Sequence, residues 1–444
     1  MPLYALRSDP SVEALVGEPT IEAFRGCTLL PYKKIKVVPP VDVNEEIVAY
    51  ASPDSTYAVT KRMIDGAKKS IRIGIYDFTA QYMKTLLLNA MSRGVKVTLM
   101  LDVETANGER ALFQELIDMG VDGVPAPACT STHAHYFSSC HEKFIVIDDL
   151  WTLVQSGNYS DNSIPLNEKD GGDPKHFVPG NRDTGLAVKS KKLAAFFTRV
   201  LRSDIALELN APQALVEAVT PQDANVVWLE AAPTRIPKTL FPSRTFKLTS
   251  ALSIQPVLSP DNYMSTIPAV LSKAKKSILI EQQYIRGSQT EIAILLAAIA
   301  AARKKNPTLD VRIVLGKIFG AADRVKEVAN LKLLAASYGL VIDKNIRYVD
   351  TTRFVHCHNK MIIVDGVEIL VSSQNWSDSA VVKNREAGLL FTHKGIAAYF
   401  TAIFENDWAT AFRKLPATAK PQVGPELLRR GGFIKVVAAD YREV

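Results

Sequence analysis

Residues 140–149 read CHEKFIVIDD and residues 357–366 read CHNKMIIVDG. One decapeptide has been used twice, and its surroundings repeat with it. Upstream, residues 52–78 (SPDSTYAVTKRMIDGAKKSIRIGIYDF) lie over residues 259–285 (SPDNYMSTIPAVLSKAKKSILIEQQYI), which brings Ala67-Lys68-Lys69-Ser70 onto Ala274-Lys275-Lys276-Ser277. Each copy reads as a turn, an amphipathic helix with a basic end, and a strand rich in Ile and Tyr. A second helix and strand follow, VKVTLMLD in the first copy and LDVRIVLG in the second. The decapeptide then reads as a strand, an Asp-containing hairpin turn and a returning strand. Strands alternating with helices and closing in hairpins give an α/β fold class, as two similar layers from a duplication.

A chain of 444 residues, 47% hydrophobic and 22% charged, suits two globular domains. The expected divisions are an N-terminal extension over 1–43, a first repeat over 44–210, a Pro- and Thr-rich linker over 211–250, a second repeat over 251–415 and a tail over 416–444. The apolar run Ile292–Ala302 is too short to cross a bilayer and reads as a buried helix. The N-terminus has scattered charges and no signal-peptide pattern, so the cytoplasm is the expected location. None of the four cysteines, Cys27, Cys129, Cys140 and Cys357, sits in a C-x-x-C pair. Neither a zinc site nor a disulfide framework is expected. Cys140 and Cys357 read as small core residues. The formal charge of +7 accommodates an anionic ligand without identifying one. Lys68-Lys69 and Lys275-Lys276 fall at predicted helix ends, where the helix dipole accounts for them without nucleic acid.

Polar residues repeat along with the apolar frame. The first copy holds His141, Lys143, Asp148, Ser156, Asn158 and Asn181-Arg182-Asp183; the second holds His358, Lys360, Asp365, Ser373, Asn375 and Asn384-Arg385-Glu386. The interval from histidine to asparagine is the same in both. On a strand, residues two apart share a face, so each His projects with its Lys while the intervening residue points away. Asp148 and Asp365 sit at the hairpin turns and read as caps of turn amides. Tyr76 and Tyr284 are read as equivalent residues packing the floor of a site. His133-x-His135 and His356-x-His358 have metal-like spacing, but the pairing does not repeat and further ligands are lacking. No metal and no cofactor is expected.

The doubled pattern resembles the phospholipase D superfamily, whose signature is H-x-K-x-x-x-x-D followed by G-S-x-N, present twice. Gln155 and Ser372 depart from it where the signature has glycine. The resemblance implies two α-β-α sandwich domains related by a pseudo-twofold axis, with one active site at their interface. It implies a phosphoric diester hydrolase in which His141, Lys143, Asn158, Asp183, His358, Lys360, Asn375 and Glu386 are catalytic, and Ser156 and Ser373 bind substrate. His141 is then the nucleophile that forms a phosphohistidine, and His358 the acid and base. Lysines and asparagines would neutralise the phosphoryl oxygens, and the carboxylates would orient the imidazoles. The expected substrate is a phospholipid head-group diester, hydrolysed or transferred to an alcohol by a monomer at a peripheral membrane surface. The alternative is a metal-independent nuclease acting on single strands.

Overall fold

A computed structural model describes residues 27–103, 108–211, 233–286, 290–316 and 336–414, together with 329, 331 and 332. The expected tail, 416–444, and much of the expected linker and extension lie outside the described residues. The chain runs β1 (Val41–Val43), β2 (Glu46–Ser52), α1 (Thr56–Asp65), β3 (Ser70–Ile75), α2 (Gln81–Ser92) and β4 (Lys96–Leu101). It continues through α3 (Glu109–Asp118), β5 (Asp122–Pro125), β6 (Phe144–Ile147), β7 (Trp151–Gln155), β8 (Asp183–Lys189) and α4 (Lys191–Leu209). After β9 (Arg244–Lys247) the pattern returns: β10 (Leu252–Ser259), α5 (Tyr263–Ser272), β11 (Ser277–Gln282), α6 (Thr290–Lys305), β12 (Asp310–Leu315) and β13 (Ile346–Tyr348). Last come β14 (Met361–Val364), β15 (Glu368–Ser372), α7 (Asp378–Val382), β16 (Glu386–Thr392) and α8 (Lys394–Thr410).

Two eight-stranded mixed sheets result, ordered β5-β4-β3-β6-β7-β8-β2-β9 and β13-β12-β11-β14-β15-β16-β10-β1. Read along these orders, the sheets are the same object. The central strands β6 and β14 are apolar at every position because both faces are covered. Phe144 and Val146 of β6 enter a core shared by the two repeats, while Ile145 and Ile147 enter the first repeat's own core. In β14, Met361 and Ile363 face the shared core and Ile362 and Val364 the second repeat's own. Helices α4 and α8 supply Phe196, Phe197, Phe400 and Phe404 to the shared core, so the repeats meet over a continuous apolar layer. Cys140 and Cys357 are buried free thiols in it, as expected.

Two segments, one expected as part of the N-terminal extension and one as part of the linker, tie the repeats together. β1 precedes the first repeat yet pairs with β10 of the second; β9 precedes the second repeat yet pairs with β2 of the first. Each repeat thus lends an edge strand to the other. Asp148 and Asp365 have φ of 54° and 55°, a left-handed turn conformation that Asp tolerates. Their carboxylates accept the main-chain N–H groups of Lys68, Lys69 and Ser70, and of Lys275, Lys276 and Ser277. They are caps, as the sequence indicated, though of the turn entering β3 or β11 rather than of their own hairpin.

The absence of a disulfide is overturned. Cys27 and Cys129 are bonded, with Cα atoms 5.9 Å apart and 102 residues between them in sequence. Spacing rules for neighbouring cysteines cannot see a pair brought together by tertiary folding. Closing so long a loop constrains the unfolded chain and contributes about 2–4 kcal/mol. Unreduced protein in denaturant should therefore titrate only Cys140 and Cys357, and reductant should expose all four thiols and lower the melting temperature. Four reactive thiols before reduction would show the bond does not form.

Candidate active site

The histidines do not lie on regular strand as expected: β6 and β14 begin just after Lys143 and Lys360. What holds them instead is the other repeat. Cys140 bridges Arg385, and Cys357 bridges Arg182, each as an isolated parallel pair. His141 N–H donates to the Arg385 carbonyl at 2.8 Å, and His358 N–H to the Arg182 carbonyl at 3.0 Å. The side chains cross in the same way. His141 Nδ1 lies 2.9 Å from Glu386 Oε2, and His358 Nδ1 lies 3.0 Å from Asp183 Oδ1. Each of these two histidines is oriented by a carboxylate from the opposite copy, a relation that spacing within one copy cannot reveal.

Lys143 Nζ donates to the His141 carbonyl and Lys360 Nζ to that of His358, both at 2.6 Å. Both lysines and both histidines are buried. Burial, then Lys143, Lys360 and His358, hold the His141 imidazole well below its ordinary pKa. Burial and Lys360 lower His358 to about 4, against the opposing pull of Asp183. Burial pushes the Asp183 carboxyl up, but His358, Lys360 and the Ser156 hydroxyl outweigh it and keep the group below the usual carboxylate range. Both shifts favour the neutral imidazole. The crossed main-chain and side-chain contacts bring the two histidines, each with its lysine, to one interface between the repeats.

Ser156 and Ser373, expected to bind substrate, meet the two carboxylates. Their hydroxyls donate to Asp183 Oδ1 at 2.6 Å and to Glu386 Oε2 at 2.5 Å. They also accept from the N–H groups of Thr184 and Ala387, both at 3.0 Å. The serines position the carboxylates that position the histidines. Asn158 is fully buried, and neither amide atom has a hydrogen-bond partner among the described residues.

A family model described as "Cardiolipin synthase, PLD-like domain" matches this chain twice, over residues 60–205 and 267–408. The chain belongs to the phospholipase D superfamily. Phospholipase D of Rickettsia felis is 33% identical over 101 residues, 22% of this chain and 44% of that protein. Phospholipase D of Rickettsia typhi is 27% identical over 137 residues, 30% of this chain and 61% of that protein. The chain spans only part of the length of either relative. Phosphatidylserine synthase of Haemophilus influenzae, 15% identical, shares the fold with a TM-score of 0.59, covering 93% of this chain and 97% of that one.

Against the phospholipase D signature, the two residues that replace glycine each face a glycine across the ladder. Gln155 pairs with Gly185 and Ser372 with Gly388. A Cβ on Gly185 would fall 2.2 Å from the Tyr50 ring, and one on Gly388 would fall 2.6 Å from Ser372 Cβ. The Gln155 amide donates to the Gly157 carbonyl at 2.8 Å and so closes its own turn. One expected equivalence fails. The matching bridges Phe78–Tyr159 and Ile285–Trp376 put Gln283, not Tyr284, at the place of Tyr76. Tyr284 instead lies 4.3 Å from the Arg286 guanidinium.

The sequence reading missed two buried networks behind the histidines. Arg182 binds Asp54 at 2.9 Å and Asp407 of α8 at 2.6 Å; Arg385 binds Asp261 at 2.5 Å and Asp204 of α4 at 2.7 Å. Each arginine thus reaches a helix of the opposite repeat. The signal was present: Ser-Pro-Asp opens both copies, and Asn-Arg precedes both carboxylates.

Proposed function

We propose that this chain is a phosphodiesterase that opens phospholipid head-group diesters through a phosphohistidine on His141. The observation that carries the reading is the reciprocal pair of His–carboxylate contacts, which fixes both imidazoles at Nδ1 and makes Nε2 the reacting nitrogen of each. His141 Nε2 attacks phosphorus and forms the N–P bond. The O–P bond to the leaving group breaks, and that oxygen takes the proton of His358 Nε2. His358 then removes a proton from water or an alcohol, whose oxygen displaces His141. An anionic diester brings to the site the negative charge that protonation of His358 requires. Lys143, Lys360 and Asn375 face its oxygens, and it supplies the hydrogen-bond partners the buried Asn158 amide needs.

The lipid preference is supported by the family description and by the names of the Rickettsia and Haemophilus proteins. Among the described residues no helix is long and apolar enough to cross a membrane, so the proposed mode is peripheral. The Cys27–Cys129 bond favours an oxidising compartment over the cytoplasm expected from the N-terminus. The test is a parallel assay, with EDTA present, of phospholipid vesicles with and without a primary alcohol and of a labelled single-stranded oligonucleotide. Head-group release, with a new phosphatidyl alcohol when alcohol is added, is expected. Cleavage of the oligonucleotide alone would transfer the assignment to the nuclease reading.

A further inference from the structure

We propose that Tyr76 is a positioning residue that makes the two pseudo-equivalent histidines unequal, so that His141 is the one that becomes covalent. The proposal rests on the phosphohistidine reading above and adds the cause of its direction.

The polar frame alone gives no direction. Each imidazole has a carboxylate at Nδ1, at 2.9 and 3.0 Å. Each has a main-chain hold from the opposite arginine, and each has a lysine bonded to its own carbonyl at 2.6 Å. A symmetric frame would let either ring attack and either ring donate.

The symmetry breaks beside His141. The Tyr76 ring, wholly buried at the end of β3, meets the His141 ring with centroids 4.6 Å apart and planes at 63°. Lys143 Nζ lies 5.0 Å from the same ring centroid. The equivalent position in the second repeat is Gln283, an amide.

An aromatic edge or face excludes water from that side of the imidazole without offering an ordinary hydrogen bond. Among the groups that act on His141 are Glu386, Lys143, Lys360, His358 and the Ser373 main chain. With an aromatic ring rather than a polar group on that side and two ammonium groups close by, the neutral ring with its Nε2 lone pair is favoured, which is the state an attacking nitrogen requires. Once the N–P bond forms, the imidazole carries positive charge, which Glu386 meets at Nδ1 and the π system of Tyr76 meets at the side. At the equivalent position the second copy carries Gln283, and an amide there suits a histidine that must hold a proton and release it.

The test locates the phosphoryl group. Enzyme turning over a slow phosphodiester is quenched and digested in alkali, and the phosphoramidate is mapped by mass spectrometry. Wild type and Tyr76→Phe should carry the label on His141. The exchange Tyr76→Gln with Gln283→Tyr should shift it to His358, which a merely structural role for Tyr76 would not do. An exchanged enzyme that still turns over and labels only His141 overturns the proposal. Should the exchange fold poorly, wild type with 15N-labelled imidazoles decides the matter: His141 must stay neutral to a lower pH than His358, and the opposite order overturns the proposal. An active wild type with no phosphohistidine at either residue overturns the covalent mechanism itself, and this inference with it.

Discussion

His141→Ala and His358→Ala are each expected to lower turnover of an unactivated phosphodiester by at least about a thousandfold, and the double variant by little more. Residues that act as one unit fail together when any member is removed. The two single variants should nonetheless fail at different steps. With an aryl leaving group of low basicity, departure needs no acid, so His358→Ala should still form the covalent intermediate in one burst. It should then stall, because no base activates water. His141→Ala should give no burst with any leaving group. The crossed contacts extend the distinction to the carboxylates. Glu386→Gln weakens the orientation of His141 and should suppress the burst, although Glu386 belongs to the second repeat. Asp183→Asn should behave as a weaker His358→Ala. A burst from His141→Ala, or steady turnover by His358→Ala on a substrate with a poor leaving group, would falsify the assignment of roles.

Why the composition of the site was legible while its wiring was not is a matter of range. His141, Lys143, Ser156 and Asn158 flank one strand-turn-strand unit, and local geometry constrains such spacing directly. A duplicated unit prints that spacing twice, which separates the pattern from chance. The partner of His141, however, is Glu386, and the carbonyl that holds it is that of Arg385. Nothing about intervals within one copy says that the two copies trade carboxylates. The same limit hid the Cys27–Cys129 bond and the exchange of β1 and β9. Tyr76 and Tyr284 failed for another reason. Matching two tyrosines by type placed them one position out of register, and one position on a strand reverses the face a side chain occupies. Ser156 and Ser373 were found by motif, but their contacts with the carboxylates were not, because a hydroxyl beside a phosphate site and a hydroxyl beside a carboxylate look alike in sequence.

Replacing Arg182 or Arg385 by alanine should cost about 3–5 kcal/mol of stability, as expected when one member of a buried ion-pair group is removed and its partners remain. Arg182 is wholly buried, and its loss would strand Asp54 and Asp407 without their cation. Arg385→Ala would strand Asp204 and Asp261 and remove the donor to Tyr32 Oη at 2.8 Å. Because each network spans both repeats, the loss should loosen the interface and move the carbonyl that holds the opposite histidine. Activity should therefore fall at temperatures where the variant is still folded. The pH dependence separates this cause from a simple packing defect. Burial already pushes Asp54 and Asp204 above their ordinary values, with the arginines pulling the other way. Without the arginine, the folded-state values rise further above the unfolded ones. A folded form that binds more protons than the unfolded form loses stability as pH rises and keeps most of it at low pH. The deficit of Arg182→Ala relative to wild type should thus be larger at pH 8 than near pH 5, as read from urea unfolding midpoints. Arg182→Ala combined with Asp54→Asn and Asp407→Asn, which cannot carry the stranded charge, should recover part of the stability and lose the extra pH dependence. A deficit that does not change with pH would assign the role of Arg182 to packing against Phe354, whose ring centroid lies 4.2 Å from the guanidinium carbon, rather than to charge.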